Sequence, residues 1–297
     1  MATDQPDSEE SPVGPPVIEL APDARSDVSM DTGELTFIGT ATVLLRYGGF
    51  TVLTDPNFLH QGEHAPLGGG LRSRRLTEPA LEIADLPPLA VIVLSHHHGD
   101  HFDQRAASEL PKDVPVVTTR HAARKLRRQG FHDQRPLRTW ETQVLRRATR
   151  ELRITATPAR HAPVPLDTLL PPVMGSVWEF AHRGEPTLRL YVSGDTLVHD
   201  RLREIPARCP DLHLALLHLG GTRVLGITLT MDGRHGVEAL RILAPRHAIP
   251  IHFDDYTVFR SPLDDFRGEV ERAGLDTTIH YLDRGETFRF RAEDLRA

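Results

Sequence analysis

The segment 89–103, LAVIVLSHHHGDHFD, constrains the fold more than any other part of the chain. It begins with a continuous apolar run that follows Pro88, and such a run predicts a buried strand. His96 and His98 come directly after this strand and stand two residues apart. Side chains at that spacing point the same way in an extended segment, so both imidazoles can reach one cation. We therefore expect a sheet in which a rigid, buried strand ends at a cluster of ligand groups.

Asp100 and His101 complete this cluster beyond Gly99, a residue that permits a tight turn. After such a turn, both side chains can face a second cation. The spacing differs from the HExxH helix of zinc proteases, which favours a site at the end of a strand. The alternative is a solvated, histidine-rich turn that binds metal only adventitiously.

Three further ligand candidates stand where other apolar runs end. His161 follows ELRITATPAR, Asp195 follows LRLYVSG, and His252 lies in IPIHF. Taken singly, such a histidine is more often a capping or surface residue, and an aspartate in GDT is more often a turn residue. Taken together, their repeated placement at strand ends predicts that they converge on one site.

Short apolar runs separated by turn residues predict the fold class. The runs 35–47 and 50–56 predict two strands joined in a hairpin at Gly48 and Gly49, and residues 57–80 are expected to form a long loop. Two sheets packed face to face, with helices outside, fit this pattern. Further strands are predicted at 89–95, 114–119, 151–159, 176–180, 187–193, 212–219 and 248–253, and helices at 121–130 and 231–245.

Residues 1 to about 30 differ in composition from the rest of the chain. The stretch MATDQPDSEESPVGPP is acidic and rich in proline, and it lacks the basic start and apolar centre of a signal peptide. It predicts a mobile tail, with an extended arm docked on the domain as the alternative. Residues 31–297 are then expected to form a single folded domain.

Composition argues against several classes of protein. The 35 Lys and Arg against 41 Asp and Glu give a formal charge of −6, so nucleic-acid binding is not expected. The basic run 123–130 is predicted to be the solvated face of a helix. Cys209 is the only cysteine, which excludes an internal disulfide and suits a reducing cytoplasm. No membrane anchor is expected, because no apolar run reaches the length of a span. Pairing into a homo-oligomer stays open.

The chain resembles the metallo-β-lactamase superfamily, whose signature HxHxDH stands here at residues 96–101. The resemblance covers about residues 34–260 and implies an αββα sandwich of two mixed sheets, with metals at one edge. One departure is Thr40, where many relatives carry histidine. The chain is most similar to the branch that holds ascorbate-phosphate lactonase and N-acyl-phosphatidylethanolamine phospholipase D. The motifs shared with this branch are TDPNF (54–58), TPARH (157–161), YVSGDT (191–196) and IPIHFDD (249–255).

The resemblance implies a ligand set for two divalent cations, with His97 pointing away from both. Zn²⁺ is the expected metal, and Mn²⁺ or Fe²⁺ would also suit imidazole and carboxylate ligands. The implied ligands are His96, His98 and His161 for the first cation, Asp100, His101 and His252 for the second, and Asp195 as the bridge between them.

The implied activity is that of a dinuclear metal-dependent hydrolase. A metal-bridging hydroxide would cleave a phosphodiester, a phosphorylated lactone or a similar small ester, so a small-molecule ester or phosphoester is the expected partner. Asp100 would orient the hydroxide and shuttle a proton. The alternatives are a mononuclear iron dioxygenase of the persulfide type on the same fold, and a nonenzymatic metal-binding scaffold.

Four residues outside the ligand set are candidates for supporting or binding roles. Asp55 would fix a ligand histidine through its free ring nitrogen, although a plain turn aspartate explains it equally well. Arg72 and Arg74 could grip a phosphate, with a solvated charged loop as the alternative. His235 could reach the site as a catalytic oxyanion donor, or could lie on the surface of the first helical turn.

Overall fold

The computed structural model of the chain describes residues 14–22, 28–68, 70–224 and 226–297. No helix within these ranges combines the length and apolar character that crossing a membrane requires. The strands are β1 Val17–Glu19, β2 Thr32–Gly39, β3 Thr42–Tyr47, β4 Phe50–Thr54, β5 His64–Gly68, β6 Leu71–Arg74, β7 Val91–Leu94, β8 Val116–Thr119, β9 Gln134–Leu137, β10 Thr142–Arg147, β11 Arg150–Thr157, β12 Gly175–His182, β13 Glu185–Val192, β14 Leu214–His218, β15 Arg223–Val224, β16 Ile227–Thr228, β17 His247–Ile251, β18 Thr278–Ile279 and β19 Thr287–Arg291. The α-helices are α1 Gln104–Glu109, α2 Arg120–Arg128, α3 Glu204–Arg208, α4 Gly233–Leu243, α5 Leu263–Ala273 and α6 Ala292–Arg296.

Two large mixed sheets form the body of the described structure. One has the strand order β19-β2-β3-β4-β7-β8-β9, and the other has the order β1-β10-β11-β12-β13-β14-β17-β18. In the first sheet, pairing is antiparallel from β19 to β4 and parallel from β4 to β9. In the second, pairing is antiparallel from β10 to β13 and parallel from β13 to β18. The predicted αββα sandwich is confirmed.

Strand β7 shows why the sheets stack with helices outside them. Val91 and Val93 point to one face and join the core between the sheets, which also contains Trp178 of β12. Ile92 and Leu94 point to the other face and pack with the apolar side of α2. Burying each aliphatic side chain contributes roughly 1.5–3 kcal/mol. The strand is therefore buried on both faces, as its unbroken apolar run predicts.

The parallel strands bring the loops that follow them to a common edge. In parallel sheets, the carboxyl ends of neighbouring strands lie side by side, and ligands bind in the crevice beyond them. Strands β4 and β7 of one sheet, and β13, β14 and β17 of the other, each lead directly into a segment that carries a histidine or aspartate. Six of the seven predicted metal ligands follow these parallel strands, and the seventh, His161, follows the antiparallel strand β11.

Several segments differ from the sequence prediction, and α1, α3, β9 and β10 were not predicted at all. The run 35–47 is two strands, β2 and β3, because the chain turns back at Thr40, whose φ is 51°. The expected loop 57–80 contains the hairpin β5–β6. The C-terminal region contains α5 and β19, which were not predicted. Phe266 is the only fully buried residue of α5, so its sequence shows little apolar periodicity.

The N-terminal segment also differs from the prediction. Within residues 1–30, β1 pairs in parallel with β10, and the N–H of Leu20 donates to the carbonyl of Arg146 at 2.8 Å. Residues 14–22 are therefore an extended arm docked on the domain and not a mobile tail. The reason is that β10 has an edge whose backbone groups need hydrogen-bond partners. The rest of that prediction, residues 1–13 and 23–27, lies outside the described residues.

Candidate metal centre

Three imidazoles form the first ligand group. The Nε2 atom of His96 lies 2.9 Å from Nδ1 of His98, and Nε2 of His161 lies 3.3 Å from the same Nδ1 atom. Two ligand atoms at about 2.0–2.1 Å from one tetrahedral zinc would be about 3.3 Å apart. The three rings therefore converge closely enough to bind one cation. His96 comes from the loop after β7 and His161 from the loop after β11.

The second ligand group contains two carboxylates and two imidazoles. Nε2 of His101 lies 3.1 Å from Oδ2 of Asp195, and Nε2 of His252 lies 3.6 Å from Oδ2 of Asp100 and 3.7 Å from Oδ1 of Asp195. Asp195 also reaches the first group, because its Oδ2 is 4.0 Å from Nε2 of His96. The structure thus brings all seven predicted ligands into two adjoining groups.

Unpartnered polar atoms test whether these groups fit cations. Within the described residues, several buried ligand atoms form no hydrogen bond, namely Oδ1 of Asp100, Nε2 of His101, Oδ1 of Asp195 and Nε2 of His252. A buried polar atom without a partner costs about 1–3 kcal/mol. So many in one place fit divalent cations as the missing partners, and imidazole with carboxylate is a donor set that such cations accept.

Burial sets the protonation of the first group. It lowers the pKa of His98 to about 4, with repulsion from His161 as the next cause. Burial also lowers the pKa of His96 well below its usual value, as does the neighbouring charge of His101. Both rings are therefore neutral near pH 7. A neutral imidazole offers the lone pair that a metal ligand needs.

Mutual attraction sets the protonation of the second group. Burial alone raises the pKa of the Asp100 carboxyl, but the charge of His101 and the proximity of His252 lower it to about 2. The pKa of Asp195 is held well below its usual value by the same two histidines, although burial opposes this shift. Conversely, burial alone lowers the pKa of His101, but Asp195, Asp100 and Asp55 together raise it well above normal.

Asp55 and His218 support His101 from behind. Oδ2 of Asp55 lies 3.1 Å from Nδ1 of His101 and 3.3 Å from Nε2 of His218, and its Oδ1 accepts a hydrogen bond from the N–H of Ser95. Asp55 therefore has the geometry of the supporting carboxylate that the sequence suggested. His218, which ends β14, was not among the candidate residues identified from the sequence. Its position at the end of an apolar run was the available signal.

A buried arginine ties the metal loop to neighbouring strands. Arg75 is 0% exposed, and its Nη1 donates to Oγ1 of Thr40 and to Oδ1 of Asn57. The Nδ2 atom of Asn57 donates to the carbonyl of Gly99 at 2.9 Å and to Oδ2 of Asp103 at 3.1 Å. This network fixes the segment that carries Asp100 and His101.

The backbone of Thr40 contacts both His252 and Asp255. Its carbonyl accepts the N–H of His252 at 2.7 Å, and its own N–H donates to Oδ2 of Asp255 at 2.7 Å. The φ angles of Thr40 and His252 are 51° and 64°. Residues other than glycine adopt this region at a cost of about 1–3 kcal/mol, so surrounding contacts must hold them there. These backbone contacts orient the His252 ligand.

Gly99 is needed for close approach of another backbone, not for an unusual turn. A Cβ atom at this position would lie 2.4 Å from Cδ of Pro66 and 2.7 Å from its backbone nitrogen and oxygen. The N–H of Gly99 donates to the carbonyl of Pro66 at 2.9 Å. The hairpin β5–β6 is thereby fastened directly over the metal loop.

A pocket of about 660 Å³ opens beside the ligands. It exposes His98, Asp100, His161 and Asp195 at its floor, and its walls include residues of the hairpin β5–β6 and of α2. A pocket of this volume is in the range that holds small molecules. The arrangement can therefore present a small substrate to cations held by the ligand groups.

The outer residues predicted from sequence do not line this pocket. Arg72 and Arg74 are exposed, and the arginine that turns inward is Arg75, which directly follows β6. His235 is also absent from the lining. Its Nδ1 lies 2.9 Å from Oδ1 of Asp232, the residue that caps α4. The position of His235 therefore does not support an oxyanion role, because its ring is engaged at the start of the helix.

Two further expectations concern residues near the ligands. His97 belongs to neither ligand group, as predicted, and its Nε2 lies 3.1 Å from Oε1 of Gln129. The run 123–130 was predicted to be the solvated face of a helix. Its arginines are exposed, but Lys125 and Gln129 line the pocket, because the last turns of α2 lie beside the metal loop.

Two mixed sheets that present buried imidazoles and carboxylates beside a pocket define a candidate metal-binding protein on an αββα sandwich. Comparison with known proteins identifies the family. The sequence model described as "Beta-lactamase superfamily domain" matches residues 51–253, which is more than half of the chain. The chain belongs to the metallo-β-lactamase superfamily, and it is an enzyme of the metal-dependent hydrolase type.

Individual relatives agree with this assignment. A metal-dependent hydrolase of Rubrobacter xylanophilus is 26% identical over 255 residues, which cover 85% of this chain and 94% of the relative. One from Deinococcus radiodurans is 29% identical over 251 residues, covering 84% and 96%. The mitochondrial N-acyl-phosphatidylethanolamine-hydrolyzing phospholipase D of Saccharomyces cerevisiae is 27% identical over 223 residues, covering 67% of this chain and 45% of the relative.

A solved structure shows the same fold. The isothiocyanate hydrolase from Delia radicum gut bacteria superimposes with a TM-score of 0.72 at 24% identity, covering 87% of this chain and 99% of that one. At this identity the likeness is one of fold.

Proposed function

We propose that this protein is a dinuclear hydrolase that cleaves a phosphodiester, a phosphorylated lactone or a similar small ester. The contact between the two ligand groups carries the proposal. Oδ2 of Asp195 is 3.1 Å from Nε2 of His101 in one group and 4.0 Å from Nε2 of His96 in the other. One carboxylate can therefore serve two cations and hold them close together.

The chain would divide the binding of the cations between the two groups. His96, His98 and His161 would hold the first, and Asp100, His101 and His252 the second, with Asp195 as the bridge. When bound, a pair of divalent cations supplies a hydroxide nucleophile near neutral pH and polarises the oxygen at the scissile bond. Zn²⁺ suits these ligands, and Mn²⁺ or Fe²⁺ are the other candidates.

Asp100 would move the proton. A pKa of about 2 keeps its carboxylate ionised at neutral pH. Its Oδ1 atom forms no hydrogen bond within the described residues, and Asp100 lines the pocket. Whichever of its two oxygens is not bound to the cation would orient the attacking water, accept its proton and pass it to the leaving group.

The pocket and the relatives favour a small ester or phosphoester as substrate. A volume of about 660 Å³ accommodates a small molecule. Similarity to the yeast protein, whose name states that it hydrolyses N-acyl-phosphatidylethanolamine, supports phosphodiesters within this class.

Metal analysis combined with hydrolysis assays tests the proposal. We expect about two metal ions per chain and hydrolysis of at least one member of a panel: bis-p-nitrophenyl phosphate, a homoserine lactone, a thioester and a β-lactam. His98→Ala should lower metal content and reduce hydrolysis by roughly 100-fold or more. His132→Ala is the matched control, because His132 is exposed and belongs to neither ligand group. Less than one metal per chain, or unchanged hydrolysis in His98→Ala, would contradict the proposal. Bound iron with oxygen uptake and no hydrolysis would favour the dioxygenase alternative.

A further inference from the structure

One face of α2 takes part in the same pocket as the metal ligands. His121, Lys125 and Gln129 are spaced four residues apart, so they lie on one side of the helix. All three line the pocket that also exposes Asp100 and Asp195. The pocket therefore has two polar ends, the ligand groups and this helix face.

The helix end of the pocket carries a positive charge that no carboxylate neutralises. Across the described ranges, Lys125 is exposed and takes part in no ion pair. The three carboxylates that line the pocket have other partners. Asp100 and Asp195 belong to the ligand groups, and the Asp103 carboxylate accepts the N–H groups of Ala106 and Leu59.

His121 adds a hydrogen-bonding group beside Lys125. Burial lowers the pKa of His121, and the positive charge of Lys125 lowers it further, so the ring is neutral near pH 7. Its Nδ1 atom is buried and has no hydrogen-bond partner in the described part of the chain. A neutral imidazole and an ammonium group together can donate hydrogen bonds to an oxyanion.

An apolar wall accompanies these two ends. Leu67 and Leu71 of the hairpin β5–β6, Leu170, Val224 and Leu229 all line the same pocket. Leu71 is 46% exposed, a large value for an aliphatic side chain on a hairpin that overlies the site. Such a wall suits an apolar part of a ligand.

From this arrangement we infer that the α2 face is an anion subsite, and that preferred substrates are aliphatic esters ending in a carboxylate or phosphate group. The scissile bond would lie at the ligand groups, the aliphatic chain along the leucine-rich wall, and the anionic end against Lys125 and His121. This inference rests on the proposed function and names its substrate class.

Paired esters of equal length test the subsite. Mono-4-nitrophenyl adipate and 4-nitrophenyl hexanoate differ only in that the first ends in a carboxylate. We expect kcat/KM to be about fivefold higher for the adipate ester, the size expected for one partly exposed ion pair. The preference should shrink as ionic strength rises. Lys125→Gln should abolish it and Lys125→Glu should reverse it.

Arg124→Gln is the matched control. Arg124 is exposed on the same helix and does not line the pocket, so its variant should keep the preference. Metal-dependent hydrolysis without a preference for the adipate ester, or a preference that survives in Lys125→Gln, would overturn the subsite and leave the proposed function intact.

Failure to hydrolyse either ester would count against the proposed function on esters. In that case, a binding measurement still tests the anion subsite. Titration of the metal-loaded protein should show adipate binding about fivefold more tightly than hexanoate, beyond the roughly twofold statistical advantage of two identical ends. Lys125→Gln should remove this difference. Equal binding of both acids by the unaltered protein would overturn the subsite.

Discussion

Both ring nitrogens of His101 lie close to carboxylates. Oδ2 of Asp55 lies 3.1 Å from its Nδ1, and Oδ2 of Asp195 lies 3.1 Å from its Nε2. A carboxylate behind a ligand histidine fixes its tautomer and orientation and makes it a stronger ligand. The two contacts give Asp55 a role that its sequence context, TDP, left undecided.

Replacing Asp55 tests this role. Asp55→Asn keeps the shape of the side chain but removes the charge that faces His101. We expect metal affinity and kcat/KM to fall by about 10–100-fold, because the imidazole is no longer oriented by an anion. Metal titration and steady-state kinetics measure both effects. Asp264→Asn, whose side chain is 94% exposed, should change neither. An unaltered metal affinity in Asp55→Asn would show that Asp55 is only a turn residue.

Protonation of the second ligand group predicts a pH dependence of metal binding. Carboxylates, with Asp195 first, raise the pKa of His101 and of His252 above the usual 6.5 despite burial. At pH 6.5 both rings of the metal-free protein are therefore mostly protonated, and each must lose its proton to become a ligand. We expect release of about one to two protons per chain on metal loading, and weaker binding as the pH falls.

Calorimetry in two buffers with different ionisation enthalpies measures the released protons. His98, with a pKa of about 4, is already neutral and should contribute none. Metal loading at pH 6.5 without proton release would contradict this account of the electrostatics.

At the scale of elements, a buried polar network joins the start of β3, the end of β6 and the loop after β7. Arg75 is its hub. It donates to Thr40 and Asn57, lies 3.4 Å from Oδ1 of Asp255, and stacks over the ring of Tyr256 at 5.3 Å. A buried charge is tolerated only when its surroundings satisfy it. The network therefore couples the stability of these elements to the geometry of the metal loop.

Removing the charge of Arg75 tests the network. Arg75→Met fills similar space but leaves Asn57 and Asp255 with fewer partners. Breaking a buried charge pair costs about 3–5 kcal/mol, and we expect the free energy of unfolding to fall by about 3 kcal/mol. Denaturant titration measures this change. Arg74→Met is the control, because Arg74 is exposed on the same strand and should change stability by less than about 0.5 kcal/mol. Equal effects of the two substitutions would refute the role of Arg75 as a hub.

At the scale of the whole molecule, the edge strand β1 lies away from the strands that lead to the ligand groups. Strand β1 covers the free edge of β10, and three strands lie between it and β13, which leads to Asp195. Besides the backbone hydrogen bonds, Arg146 forms an ion pair with Glu19 at 2.8 Å. The edge strand should therefore affect stability without reaching the metal centre.

Truncation tests this separation. Removing residues 1–22 deletes β1 and exposes the edge of β10, and we expect the Tm to fall by about 3 °C while metal content stays the same. Removing only residues 1–13 is the control and should leave the Tm closer to that of the full chain. Thermal unfolding and metal analysis measure the two effects. Loss of metal in the longer truncation would show that the edges are coupled.

The sequence by itself determined the candidate ligands and the strands that support them. The run LAVIVLS and the HxHxDH signature are local signals, because strand burial and ligand spacing are both set within a few residues. His161, Asp195 and His252 could be found because each also follows an apolar run. The alternation of strands and turns was sufficient for the two-sheet architecture.

Tertiary structure alone decided which remaining side chains meet. Arg72, Arg74 and Arg75 stand almost side by side in the sequence, and only the docking of the hairpin β5–β6 buries the third. His235 was one candidate for the site, with the surface of the first helical turn as the alternative, and Asp232 contacts it at the start of α4. His218 lies beside Asp55, and Lys125 lines the pocket, because β14 and α2 pack beside the metal loop. Contacts between distant elements depend on packing, and no local pattern of residue types records them.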